Sequence, residues 1–207
     1  MNANQLHSLL MATLSANNHS RNAAEQQLKV LKTKPGFATS CLQIANHAQA
    51  NVVLRKIASV QLKNAIGNGK GSFRWHHMDQ KDKVQIRQHI LECFMTQQDE
   101  SMRNLFAESV LGIVRDDFPE RWNPIPEILK NLSCNDLNRV HNALVITRKI
   151  VKLYQFSRRD NTKERKCLNL LIAHTFPVVK KIFQNLINSN EIAAALMMKL
   201  CVKIYWS

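Results

Sequence analysis

The stretch Gly67-Asn68-Gly69-Lys70-Gly71-Ser72 is the first place where this sequence could hold a phosphate. A nucleotide loop of that kind needs the order G-x-x-x-x-G-K-[ST] between a strand and a helix, and neither is present, so the stretch reads as a connector. His76-His77 could offer imidazoles to a metal, but adjacent residues lack the i, i+4 helical spacing and the glutamate of a zinc peptidase. The five cysteines, Cys41, Cys93, Cys134, Cys167 and Cys201, form no C-x-x-C pair. An odd, scattered set fits neither a disulfide framework nor a zinc site, and a reducing compartment suits it. Asn18-His19-Ser20 and Asn131-Leu132-Ser133 match the glycosylation pattern, which matters only to a secreted chain. No nucleophile elbow, kinase set or Cys–His arrangement occurs. No enzyme, cofactor or metal site is expected.

What must position the remaining polar residues is helical. Apolar residues recur at spacings of three and four: Leu54, Ala58, Leu62 and Ala65 form one stripe, and Met102, Leu105, Phe106, Val110 and Ile113 another. Val140, Leu144, Val151 and Tyr154 run beside a second row of Ala143, Ile146, Ile150 and Leu153, and a helix apolar on two sides is packed between neighbours. The breaks fall at Ser15–Ser20, Lys34-Pro35-Gly36, the glycine stretch, Phe118-Pro119, Asn123-Pro124 and Ser157–Thr162. Ten helices are predicted, over 4–15, 20–33, 36–48, 51–66, 79–97, 101–115, 124–132, 136–156, 163–188 and 191–206, and no strand. Taken in pairs they begin anew every 32 to 45 residues, close to the ~40–47 period of HEAT and armadillo repeats. Such hairpins cannot bury their apolar faces alone, so the expected fold is an all-α superhelix of about five stacked hairpins.

Neither end suggests a membrane. The apolar run Leu9–Ala16 has no Lys or Arg before it, unlike a signal peptide. Ile192–Trp206 contains Lys199 and Lys203 and falls short of the ~20 residues that span a bilayer. The helical pattern is still apolar at Ser207, without the polar outer face of a solenoid end. The sequence therefore reads as the N-terminal segment of a longer protein.

Of 207 residues, 29 are Lys or Arg and 15 Asp or Glu, a net charge of +14. The excess sits in residues 1–70 (eight basic, one acidic) and 136–207 (thirteen basic, four acidic), while 71–135 is slightly acidic. Basic helical repeats can bind nucleic acid through phosphate contacts. Only 6% of residues are aromatic, and they sit mostly at apolar positions, so no base-stacking platform is visible and nucleic acid is not the first expectation.

Several motifs in order resemble the importin-β (karyopherin-β) superfamily. Arg21-Asn22-Ala23-Ala24-Glu25-Gln26-Gln27-Leu28 resembles its second-helix signature, and Pro35-Gly36-Phe37 the lead into the third. Arg55, then Gln61-Leu62-Lys63-Asn64-Ala65-Ile66, then Trp75 resembles the fourth-helix pattern. Asp117-Phe118-Pro119-Glu120-Arg121-Trp122 resembles the corner entering the fourth repeat. Leu153-Tyr154-Gln155-Phe156, Glu164-Arg165 and Phe176-Pro177-Val178-Val179-Lys180 with Phe183 are similar to the subgroup of importins seven and eight. The resemblance implies an N-terminal importin-β type region at about 20–135 and further HEAT repeats over 136–207.

It also implies partners. The second helices of the early hairpins would line a concave wall that meets GTP-bound Ran, and the whole receptor would carry protein cargo and touch nucleoporin repeats while shuttling between cytoplasm and nucleus as a monomer. Matching positions here are Arg55, Lys56, Ser59, Lys63 and Asn64, with Asp116, Asp117 and Asn142 in later hairpins. Without the resemblance, Arg55, Ser59 and Lys63 are simply the solvated side of a helix whose other side faces the core. Asp116 and Asp117 oppose the dipole at a helix C-terminus, so an ion pair with Arg115 or Arg121 is the nearer explanation. Phe118, Pro119, Arg121 and Trp122 form a structural corner, with the two aromatics as wedges. Asn123 and Pro124 are placed as N-cap and first residue of the next helix. Pro177 should kink its helix. Family members carry acidic inner surfaces for basic cargo, from which this basic segment departs. Three alternatives stay open: a basic HEAT scaffold, a nucleic-acid-binding repeat, and an exporter of the same superfamily.

Overall fold

The computed structural model describes residues 3–67, 75–156 and 162–207. The glycine stretch beyond Gly67, and the turn at 157–161 with Arg158 and Arg159, lie outside them. Ten α-helices and no strand occur among the described residues: α1 Ala3–Ala12, α2 Asn18–Leu31, α3 Phe37–Asn46, α4 Val52–Ile66, α5 Gln80–Met95, α6 Glu100–Asp117, α7 Ile125–Leu132, α8 Leu137–Tyr154, α9 Thr162–Leu186 and α10 Ile192–Tyr205. The sequence predicts each within a few residues. A short 3-10 turn, Trp75–His77, precedes α5 and has no counterpart in that prediction.

The chain forms two compact units, residues 1–93 with Asp99–Asp116, and Phe94–Gln98 with Asp117–Ser207. In the first, α3 packs along α4, and α1 lies against α2, α3 and α4. Its core joins Leu6 and Leu10 of α1, Phe37 and Cys41 of α3, Leu54, Ala58, Leu62 and Ile66 of α4, and Phe106, Val110 and Ile113 of α6. A fully buried side chain of this size contributes about 1.5–3 kcal/mol. In the second unit α7 packs on α8 and α9, and α10 on α8 and α9. Its core is built from Ile128, Leu144, Ile146, Ile150, Leu171, Val179, Met197 and Ile204. Hairpin partners and next-but-one neighbours are thus both in contact, which is the packing of stacked helical repeats.

Helix ends follow local chemistry. The Asn17 side chain accepts from the N–H of His19 and Ser20 at 2.9 and 3.1 Å, and that of Asp136 from Asn138 and Arg139 at 2.9 and 3.2 Å, both conventional N-caps. At α7 the expected cap is displaced by one residue: Pro124 is the N-cap, with Pro126 inside the first turn. The Asn123 side chain nonetheless accepts from Ile125 N–H at 3.1 Å. Gly36 caps α3 at φ +84°, a left-handed conformation in which any side chain is strained. Pro177 leaves α9 one continuous helix from Thr162 to Leu186. Ala173, whose carbonyl loses the usual N–H partner, is exposed, so water can take that place.

Among the described residues no helix is long and apolar enough to cross a membrane. All five cysteines are free thiols, four of them buried.

Candidate functional site

Helix α4 divides as its periodicity requires. Leu54, Ala58, Leu62, Ala65 and Ile66 are buried, whereas Asn64 is exposed and Arg55, Lys56 and Lys63 are half-buried. Arg55 donates from Nε to the Ala45 carbonyl at 3.0 Å, near the C-terminal end of α3, where a cation suits the helix dipole. Lys56 pairs with Asp99 at 3.1 Å between two partly exposed side chains, an ion pair worth little on its own. Asp99 has a second task as the cap of α6: it accepts from Met102 N–H at 2.9 Å and contacts the Ser101 hydroxyl. The Ser101 hydrogen bond, then the Met102 N–H and the Lys56 ammonium hold its carboxyl well below the usual range. The side chains of Lys63 and Asn64 make no hydrogen bond or ion pair among the described residues.

Three expected contact residues occupy other positions. Ser59 is 1% exposed and donates to the Arg55 carbonyl at 2.9 Å, so it lies on the inner side of α4 rather than the polar side. A serine can be buried mid-helix because its hydroxyl finds the carbonyl four residues back. Asn142 is 0% exposed: its amide nitrogen donates to the Met95 and Gln97 carbonyls at 2.9 Å and approaches Phe94 at 3.4 Å, closing the C-terminal end of α5. Asp117 is buried too, with its carboxylate 3.6 Å from Arg121. None of the three presents its side chain to a partner in this structure. Asp116 is half-buried, and its Oδ2 has no hydrogen-bond partner.

The corner after α6 is built around Asp117 and Phe118. The Asp117 carbonyl accepts from the N–H of both Arg121 and Trp122, at 2.8 and 3.1 Å, which turns the chain. The Phe118–Pro119 bond is cis. Phe118 is buried against Tyr154, ring centroids 6.4 Å apart, but Trp122 is only half-buried, so one aromatic wedge serves here rather than two. The Cys167 thiol lies 3.5 Å from the Phe118 carbonyl.

Sequence reasoning did not find Asp82. Buried in the first turn of α5, it accepts from Gly36 N–H and from the Thr39 hydroxyl, both at 2.7 Å, and so caps α3 from 46 residues away. Trp75 was anticipated only as part of a motif; it is buried, with Lys83 Nζ and Arg87 5.9 and 5.5 Å from its ring centroid. No group of three or more His, Cys, Asp or Glu able to hold a metal occurs among the described residues.

Residues 24–96 match the importin-beta N-terminal domain. The importin beta-like SAD2 homolog of Arabidopsis thaliana is 31% identical over 206 residues, 95% of this chain and 19% of its own length. The chain belongs to the importin-β superfamily. Importin-8 of Danio rerio is a further relative, 24% identical over 215 residues and matched over 20% of its length. This importin-β chain thus spans about a fifth of the relatives it matches. Among solved structures, the exportin Cse1 in its cargo-free, cytoplasmic state superposes with a TM-score of 0.79 at 16% identity, over 99% of this chain and 23% of that one. Kap121p bound to RanGTP does so at 0.55 and 13% identity, over 98% and 26%. These likenesses establish the importin-β HEAT-type helical fold; at such identities they establish no shared partner.

Proposed function

We propose that the chain is the N-terminal segment of a nuclear transport receptor, and that the outer polar side of α4 takes part in binding GTP-bound Ran. The observation that carries this reading is the importin-β N-terminal match over residues 24–96, which contains α4 with its unengaged Lys63 and Asn64. Kap121p, solved with RanGTP, shares the fold, which adds support. Lys63 and Asn64 lead the contact set. Arg55 and Lys56 flank them, and half-buried Asp116 on α6 completes the set. The importin-β type region extends to about residue 135, with further repeats over 136–207.

The remaining partners follow from the receptor reading. Protein cargo and nucleoporin repeats engage mostly the four-fifths of such receptors beyond this segment, and the receptor shuttles between cytoplasm and nucleus as a monomer. We propose import as the direction, a reading that the importins among the curated relatives support. In an importer Ran–GTP and cargo weaken each other's binding reciprocally, whereas in an exporter they strengthen it.

Titration of the 207-residue chain with Ran loaded with a non-hydrolysable GTP analogue, and separately with Ran–GDP, tests the reading. The GTP form should bind more tightly by about tenfold or more, and Lys63→Ala should weaken that binding several-fold at unchanged thermal stability. Equal affinity for the two nucleotide states would sink it.

A further inference from the structure

Five cations line the outside of α9. Lys163, Arg165, Lys166, Lys180 and Lys181 are all exposed, and none makes an ion pair among the described residues. Cys167, Leu171, Thr175 and Val179, four residues apart, form the opposite, buried side. Stepping 100° per residue from that buried row, Lys166 and Lys180 point away from the core, with Arg165 at one border of the same face and Lys163 and Lys181 at the other. From Lys163 to Lys181 the row is about 27 Å long. The only acidic residue on α9, Glu164, lies toward the inner side, half-buried and engaged. An open depression of about 530 Å³, lined by Thr162, Arg165, Lys166, Asn169, Leu170 and Ala173, lies between the first cations.

Folding does not ask for these charges. Lys163, Arg165 and Lys166 begin the helix, where cations oppose the dipole by about 0.3–1 kcal/mol each. Nor does the face resemble a protein-binding patch, whose centre is apolar and aromatic and poor in lysine. Here the centre is Asn169, Ala173 and Pro177, with no aromatic ring. The apolar side of α9 is committed to the core, so nothing is left to enter a lipid bilayer. An unpaired row of Lys and Arg around hydrogen-bonding Asn and Thr matches a regularly charged strand of phosphates.

We propose that the outer face of α9 docks the sugar-phosphate backbone of nucleic acid, without reading sequence. No base-stacking platform is expected from the sequence, and the centre of this face carries no aromatic ring; backbone contact needs only the cations. The proposal is independent of Ran binding.

Fluorescence anisotropy of the 207-residue chain with a labelled mixed-sequence strand of about 20 nucleotides, between about 50 and 200 mM salt, tests it. Two variants carry the same loss of three charges. K163Q/R165Q/K166Q should weaken binding by about tenfold or more and reduce the salt slope by about two, at roughly 0.7 per lost phosphate contact. K29Q/K34Q/K81Q, which removes exposed cations from the other unit, should stay within about twofold of the parent, since it leaves the docking face intact. Circular dichroism checks that both variants fold. No binding at the lower salt, or equal weakening in both variants, would overturn the proposal. So would displacement of the strand by polyglutamate or by phosphatidylserine vesicles at matched charge, which would make the face an acidic-peptide or lipid surface.

Discussion

Asn142 and Asp82 are buried polar residues bonded to the ends of helices other than their own. Asn142→Ala would strand two buried carbonyls at the end of α5, a loss of about 2–4 kcal/mol, measurable by urea unfolding. Asn142→Asp should be worse, because it sets carboxylate oxygens against carbonyl oxygens. Asp82→Ala removes two charge-assisted hydrogen bonds and should cost about 2–4 kcal/mol; Asp82→Asn should cost less, since the Thr39 hydroxyl can turn and accept from the new amide. The thiols divide similarly. Burial pushes Cys93 up to about 12 and Cys201 up to about 11, and raises Cys41 and Cys167 as well. A thiol reagent near pH 8 should therefore label half-buried Cys134 quickly, and the other four only as the protein unfolds. Four rapidly reacting thiols would contradict this packing.

Among the helices, α4 and α6 come together through Gly112. A Cβ there would lie 2.9 Å from Ile66 Cγ2, a buried and β-branched atom with little room to yield. Gly112→Ala gains about 1 kcal/mol of helix propensity but incurs an overpacking cost of about 1–3 kcal/mol, so net destabilisation is expected. The start of α6 should be sensitive to acid. Because Asp99 titrates below its ordinary value of 3.8 in the folded chain, it stabilises above that value and ceases to do so as pH falls. The gap in melting temperature between the parent and Asp99→Asn should be largest near neutrality and shrink below about pH 4. A gap independent of pH would remove Asp99 from the cap.

Helices were legible in the sequence because their signals are local: apolar spacing, a proline or a glycine fixes each within a few residues. Side-chain roles were legible only where the partner is near in sequence. Arg121 beside Asp117 could be foreseen, as could the apolar side of α4. Ser59 and Asn142 were misplaced because polarity suggests solvent, while the carbonyls that accept from them are visible only in three dimensions. Asp82 was missed for the same reason, since no spacing rule links it to Gly36. Lys63 and Asn64 remain where the helical period puts them, at the polar edge of α4.

At the scale of the whole molecule, +14 of net charge is a standing repulsion. Raising salt from about 0.05 to 0.5 M should screen it and raise the melting temperature, since the ion pairs among the described residues, that of buried Asp117 apart, are partly exposed. A lower melting temperature at high salt would mean that specific pairs outweigh the general repulsion.

The contacts from hairpin to hairpin have a direction. Gly36 and Thr39 wait for Asp82, Lys56 for Asp99, Met95 and Gln97 for Asn142, and Phe118 for Cys167, at separations of 43 to 49 residues. In each case the later residue completes the earlier element. A ribosome adding about 5–20 residues per second would leave each of these groups without its partner for roughly 2–10 s. Synthesis from the N-terminus thus carries a moving, unfinished edge one repeat wide, and that edge is where a chaperone, or a wrong partner, would find the nascent chain.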